Sequence, residues 1–374
     1  MNEPNDEGSG SSPYQVRVSR QVPDLEWDAF VEATQGGTYH QSSIWAQVKA
    51  VMGWDSARLV LRREGRIIAG CQLLLRTVPL AGAIAYVPRG PVVADRDAHA
   101  LDATLTALEG LAEQERIVYL KLQPPPDCGD MATQLQARGF VASSLEAAPR
   151  ATVRVDLQRS SEALLGAMRK NTQRNIAKAQ RLGVAVREGD EKDLAEFYRL
   201  IDATSRRQSF SSYPPRYYEQ LWRVFAARDR ARLLIAEHDG AVLASNLVVG
   251  FADTAVFKIG GWYGTKKSVP PNELLHWVGM QWGRAHGYRY YDFDNINLPV
   301  AQALLAGAQS PEDASNGVAR FKLGFGGDVM VFPKAYDYTY RPLLAGALRQ
   351  LAPKLDRLRP LADRALGARP RRLT

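Results

Sequence analysis

The chain is predicted to be an α/β protein built as two tandem modules, each a mixed sheet flanked by helices. Three observations point there. The order hairpin, strand, helix, strand occurs twice along the 374 residues. The strand runs alternate or are continuously apolar, and the helical runs have an apolar face. The composition, 45% hydrophobic and 24% charged, is that of a globular protein able to bury a large core.

The elements follow in order. Met1 to Pro13 is acidic and rich in Ser and Gly, and is read as a disordered tail without the apolar core of a signal peptide. Asp24 caps a helix over Leu25 to Ala33, which Gly36-Gly37 stops. A second helix runs from Ile44 to Met52 with Ser43 as its cap, Trp45 and Val48 buried, and Lys49 outside. Arg58 to Arg63, the turn Glu64-Gly65 and Ile67 to Leu75 form a β-hairpin. Ala83 to Val87 is a strand, Ala98 to Glu115 a helix and Ile117 to Leu122 a buried strand, ended by Pro124-Pro125-Pro126. The order then repeats. Arg232 to Glu237, Asp239-Gly240 and Val242 to Val249 make a hairpin, and Ala255 to Gly260 a strand. Pro270-Pro271-Asn272 opens a helix to His286, and Tyr288 to Phe293 is the last strand.

Aligning Gly65 with Gly240 sets Ile67, Ile68 and Ala69 on Val242, Leu243 and Ala244, and Gly70 on Ser245, with one residue inserted before the turn. The layout resembles two copies of the GNAT acyltransferase module. Between the copies, Ser160 to Gly183 is predicted as one long helix. Lys170, Arg174, Lys178 and Arg181 share a face, and no acid occurs from Ala163 to Arg187. An unrelieved basic face suits a polyanion.

The totals narrow the chemistry. Two cysteines, Cys71 and Cys128, make no disulfide framework, which points to a cytoplasmic protein. Five scattered histidines show no ligand spacing, so no metal is expected. No apolar run approaches the ~20 residues that span a bilayer. The net charge is +8, and Arg341 to Thr374 alone carries nine Lys/Arg against two Asp. Amphipathic helices are expected over Pro342 to Leu366, suited either to docking on the first module or to a peripheral contact with anionic lipid.

No P-loop, dinucleotide fingerprint or nucleophile elbow appears, and no cofactor is expected. Nor does either half carry the Gly-rich loop that holds the pyrophosphate of coenzyme A: Arg89-Gly90-Pro91 and Gly260-Gly261-Trp262-Tyr263-Gly264 both lack its spacing. Acyl transfer by direct attack of a bound amine then needs positioning and a cation. Arg320-Phe321-Lys322-Leu323-Gly324-Phe325-Gly326-Gly327 offers one, read as a strand (Val318 to Leu323) running into a glycine turn that lets a bulky donor approach.

Six stretches in order then resemble the FemABX family of peptidoglycan bridge-forming aminoacyltransferases. They are Gln41 to Lys49, Tyr86 to Val92, Arg169 to Ala179, Glu273 to Trp277, Tyr291 to Phe293, and Phe321 to Gly327. The resemblance covers about residues 15 to 345 and is to the compact members without a helical arm. It implies transfer of an amino acid from aminoacyl-tRNA to a muramyl-pentapeptide precursor, nucleotide- or lipid-linked. It also implies roles: Lys322 at the transfer site, Lys49 and one of Arg206 or Arg207 on the precursor diphosphate, and Tyr86 and Asp95 lining the precursor groove. The basic face of Lys170, Arg174, Lys178 and Arg181 then faces tRNA. Residues 14–155 and 156–335 are the expected modules, with 336–374 a basic segment packing back on the first. Asp294 to Gly317 reads as a lid or a surface insertion. Two other classes stay open: an N-acyltransferase using another carrier-bound donor in surface polysaccharide synthesis, and a non-catalytic basic module for tRNA or membrane.

Overall fold

The computed structural model describes residues 13–126, 128–145, 148–265, 268–307 and 317–342. The first half contains β1 (Gln15–Ser19), α1 (Leu25–Ala33), α2 (Ser43–Ala50), β2 (Asp55–Arg63), β3 (Arg66–Val78), β4 (Gly82–Val87), β5 (Val92–Val93), α3 (Ala98–Gln114), β6 (Ile117–Leu122), α4 (Met131–Ala137) and β7 (Val141–Ala142). The second contains β8 (Ala151–Asp156), α5 (Ser161–Ala167), α6 (Lys170–Arg181), β9 (Ala185–Gly189), α7 (Leu194–Gln208), α8 (Pro215–Ala226), β10 (Ala231–His238), β11 (Ala241–Phe251), β12 (Thr254–Trp262), α9 (Pro271–Ala285), β13 (Tyr290–Asp292), α10 (Leu298–Leu305), α11 (Gly317–Leu323) and β14 (Asp328–Val331). A last strand, β15 (Tyr336–Thr339), returns to the first sheet.

The two sheets share a plan. One runs β1-β2-β3-β4-β6-β15-β7, with β5 on β3; the other runs β14-β8-β13-β12-β11-β10-β9. In each, a hairpin and a third antiparallel strand lead through a helix to a parallel strand, β6 beside β4 and β13 beside β12. The hairpins match residue for residue. Both turns put two consecutive residues at positive φ, Glu64-Gly65 and Asp239-Gly240, the geometry that follows the twist of the strands. Both registers shift at the same place, between Leu61 and Arg62 and between Ala236 and Glu237. The register leaves no room for the inserted residue expected from sequence.

Local physics explains most boundaries. Asp24 caps α1 by accepting from the Trp27 amide at 3.3 Å. Ser42, not Ser43, caps α2 through the Trp45 amide at 3.1 Å. Ser43 turns inward and donates to Asp28 at 2.6 Å. One apolar cluster joins the halves: Trp27, Tyr39 and Trp45 of the first pack with Tyr217, Phe225 and Leu233 of the second.

Several expectations change. The long helix over 160–183 is two helices, because Met168 takes an extended conformation and buries its side chain, while the Arg169 amide donates to Gly324 O at 2.8 Å. The strand expected at Val318 to Leu323 is helical: Ala319 and Lys322, three apart, form its buried face. Its glycine turn is packed against protein rather than open to a donor. A Cβ on Gly326 would lie 2.4 Å from Ala167 O, and one on Gly324 would lie 2.5 Å from Thr172 Oγ1. The border expected at 155/156 cuts β8, which pairs with β13 and β14 and so belongs to the second sheet. Residues 1–12, 308–316 and 343–374 lie outside the described residues, and with them most of the tail, the later part of the expected lid and nearly all of the expected C-terminal helices. No helix among the described residues is long and apolar enough to cross a membrane.

Candidate functional site

A cavity of about 660 Å³ opens where the halves meet. Tyr39 and His40, in the turn before α2, and Arg89, after β4, form one side of it. Arg154 on β8, with Asp292 and Asp294 at the end of β13, forms the other.

The second sheet concentrates its charge at this end. Asp292 is buried and fully engaged: Thr152 Oγ1 donates to Oδ1 at 2.6 Å, and Arg154 reaches Oδ2 at 3.2 and 3.3 Å. Asp292 Oδ1 also accepts from the Asp294 amide at 2.7 Å. Asp294 sits at φ 66, in the left-handed region. Its carboxylate takes both contacts of the Lys258 ammonium, 3.1 and 3.2 Å, and Lys258 also donates to the Tyr39 hydroxyl at 2.6 Å. Burial works against the Lys258 charge, but Asp294, Tyr217 and Asp292 outweigh it and hold its pKa above the ordinary lysine value.

Lys322, expected at the mouth of an open turn, is instead buried on α11. Its ammonium donates to Phe293 O at 2.9 Å, Asn295 O at 2.7 Å and Asn295 Oδ1 at 3.1 Å. Burial pushes its pKa down to about 8 against the pull of Asp294 and Asp292. Beside it, His276 is packed among Phe257, Phe293, Phe321 and Phe325 and paired with the Tyr291 hydroxyl at 3.0 Å; burial pushes its pKa down to about 3, so it stays neutral.

Lys49 lies in an aromatic cage. Its ammonium is 5.3 Å from the Trp45 ring, 5.6 Å from Tyr213 and 5.9 Å from Tyr217. No described carboxylate pairs with it. Burial, then the charges of Lys258 and Arg76, push its pKa down to about 8. The Lys49 ammonium is therefore half-buried, held among aromatic rings and close enough to a second ammonium to feel its charge. The structure thus brings Lys49, Lys258, Asp294 and Lys322 into one electrostatic neighbourhood along the seam.

The other expected residues divide. Tyr86 is half-buried on β4 and its hydroxyl donates to Gln123 at 3.3 Å. Asp95 is exposed and is not in the cavity wall; Asp97, two residues on, caps α3 through the His99 and Ala100 amides. Arg206 is exposed and pairs with Asp202 at 2.8 Å. Arg207 is held over the Trp262 ring at 5.1 Å and donates to its carbonyl at 2.9 Å. Lys170, Arg174 and Arg181 are exposed on α6 and Lys178 is half-buried. The face is real, although its helix is shorter than expected.

Sequence reasoning missed Lys258, Tyr213, Tyr217 and Arg89. Two signals were there: a lone lysine inside the apolar run Ala255 to Ile259, and the tyrosine cluster Tyr213-Pro214-Pro215-Arg216-Tyr217-Tyr218. Arg89 is buried, stacked on Phe332 at 3.9 Å and bonded to Pro149 O, with its Nη1 unpartnered.

Comparison with known proteins agrees with this architecture. Residues 22–136 match the model of the FemAB family, and residues 166–299 match that of the acetyltransferase (GNAT) domain. Curated relatives from Staphylococcus aureus, including strain MRSA252, are named lipid II:glycine glycyltransferase. They are 26% identical over 229 residues, 58% of this chain and 54% of their own length. The chain therefore spans about half the length of the curated relatives it matches. A crystal structure of FemX superposes with a TM-score of 0.78 at 20% identity, covering 89% of this chain and 99% of that one. A tandem GNAT protein from the clavulanic acid biosynthesis pathway gives 0.51 at 15% identity, covering 87% and 98%. The first half is thus similar to the FemAB family and the second to the GNAT domain, and the two-sheet plan is that of a tandem GNAT fold along nearly the whole chain.

Proposed function

We propose that this protein is an aminoacyltransferase that moves an amino acid from aminoacyl-tRNA to the peptide of a peptidoglycan precursor. The observation that carries the reading is the seam itself: an interdomain cavity walled by Asp294, with the unpaired Lys49 ammonium in the same electrostatic neighbourhood. The precursor, nucleotide- or lipid-linked, places its diphosphate at Lys49, with Arg207 as the second cation and Tyr86 in the groove. The acceptor end of tRNA lies along Lys170, Arg174, Lys178 and Arg181, where phosphates meet an exposed basic face. Peripheral contact with anionic lipid through 342–374 belongs to the same reading. The names of the curated relatives support the acceptor class, and the absent coenzyme A loop supports a different carrier for the acyl group.

The chemistry asks little of the protein beyond positioning. An amine and an activated ester held at attack distance need no covalent enzyme intermediate. The amine adds to the ester carbonyl, the C–N bond forms, and the ribose oxygen leaves with a proton.

The experiment is transfer of labelled amino acid from charged tRNA to purified muramyl-pentapeptide precursors, presented nucleotide-linked and lipid-linked. Incorporation into one of these acceptors is expected. No transfer from any of the charged tRNAs to either acceptor would refute the assignment.

A further inference from the structure

We propose that Asp294 is the carboxylate that receives the attacking amine and takes its proton, and that Lys322 is a positioning residue that holds Asp294 in place. The inference rests on the transfer reaction proposed above.

Its starting point is the bend after β13. A non-glycine residue keeps a left-handed conformation such as that of Asp294 only when its surroundings hold it. Here the hold is visible. Lys322 Nζ donates to the carbonyl before Asp294, that of Phe293 at 2.9 Å, and to the carbonyl after it, that of Asn295 at 2.7 Å. Its third donor goes to Asn295 Oδ1 at 3.1 Å. From the other side, the Asp294 amide is bound by Asp292, which Thr152 and Arg154 fix.

An ammonium has three donors. All three of Lys322's are spent on this clamp, so none is left for an oxyanion in the cavity. What the clamp presents is the Asp294 carboxylate, 23% exposed and part of the cavity wall. Lys258 takes one position on each of its oxygens, and a carboxylate has about four acceptor positions in all. Two remain for an amine. The other carboxylates of the wall do not compete: Asp292 is engaged on both oxygens, and Asp253 is exposed.

The step balances as follows. The acceptor nitrogen attacks the ester carbonyl carbon of the donor, the C–N bond forms, and Asp294 takes the amine proton. The C–O bond to the ribose breaks, the ribose oxygen receives that proton, and Asp294 returns to its carboxylate. One ester and one amine become one amide and one hydroxyl.

The test is a double-mutant cycle in the transfer assay, with amide exchange read alongside. Asp294→Asn should lower kcat about 100-fold with both KM values kept within about threefold. Lys322→Met should lower kcat by a similar factor. The double variant should fall no more than about threefold below the weaker single, because Lys322 acts through Asp294. Amide exchange over residues 293–296 should accelerate in Lys322→Met and not in Asp294→Asn. Should Lys322→Met not fold, Lys322→Arg, which keeps the charge but not the three-way geometry, takes its place. A multiplicative double variant, an Asp294→Asn enzyme within threefold of wild type, or unchanged exchange in the Lys322 variant would overturn the inference while leaving the transferase reading standing. A wild-type enzyme that transfers nothing would instead overturn that reading, and the role of Asp294 with it.

Discussion

The two halves of the molecule are the same frame finished in two ways. Both begin with a hairpin closed by two residues at positive φ, and both carry a register shift at the matching position. Both end in a parallel strand laid beside the third. They part at the end of that strand. In the first half, Gln123 follows β6 and closes the backbone: its amide donates to Val87 O at 2.9 Å and its carbonyl accepts from the Gly90 amide at 3.0 Å. Three prolines then carry the chain away. In the second half the same place holds a charged bend, Asp292 to Asn295, gripped by Arg154, Lys258 and Lys322. The frame is shared by both copies, whereas this charged bend occurs, among the described residues, in the second copy only.

The largest expected effect tests what holds that bend to the second sheet. Among the described residues, the first half has no counterpart of the glycine turn after α11, which nests in the break between α5 and α6. Gly326 is at φ +76, and a Cβ there would lie 2.4 Å from a backbone oxygen that cannot move aside. Gly326→Ala should therefore destabilise the protein by about 3 kcal/mol, from strain and overpacking together. Urea unfolding measures it. A loss below about 1 kcal/mol would mean that α11, and Lys322 with it, is not seated as described.

A smaller effect sharpens the contrast from the first half's side, which contributes the caged Lys49 ammonium. With a pKa near 8, it is an ammonium below that pH and neutral above it. An anion held by it is bound at pH 7 and released as pH rises, so KM for the precursor should climb about tenfold between pH 7 and 9. Lys49→Ala should show the high KM throughout, with kcat little changed, as removal of a binding interaction alone predicts. A KM that is flat from pH 7 to 9 in the wild type, or a climb of equal size in the variant, would remove Lys49 from the anion site.

How much of this was legible follows from how local each feature is. The hairpins, the helices after them and the duplication rest on period, turn residues and caps, all within a few positions, and these were readable. The long helix over 160–183 failed because what breaks it, Gly324 receiving the Arg169 amide, lies far along the chain. The three glycines suggest room for a ligand for the same reason: what they admit is Thr172 Oγ1, Ala167 O and Arg154 O, all distant in sequence. Lys322 was found, but its surroundings were not, since an aromatic cluster around His276 and a pair of carbonyls carry no motif. Lys258 had only its odd place in an apolar strand to mark it, and Asp95 was carried along by a resemblance that its exposure does not support.

The smallest effect tests the copied frame itself. At Gly65 (φ +78) and Gly240 (φ +70) an added Cβ meets nothing within 4 Å. Replacing either with alanine changes no packing and leaves only the cost of a left-handed L-residue, about 1 kcal/mol. If the hairpins are one device used twice, Gly65→Ala and Gly240→Ala should each lower stability by that amount and agree within about 0.5 kcal/mol, and the double variant should be additive because the turns share no partner. Urea midpoints of the three variants decide it. Unequal costs would show that the hairpins share a register and not an energy, and that the second copy has been retuned beyond the bend that carries its charge.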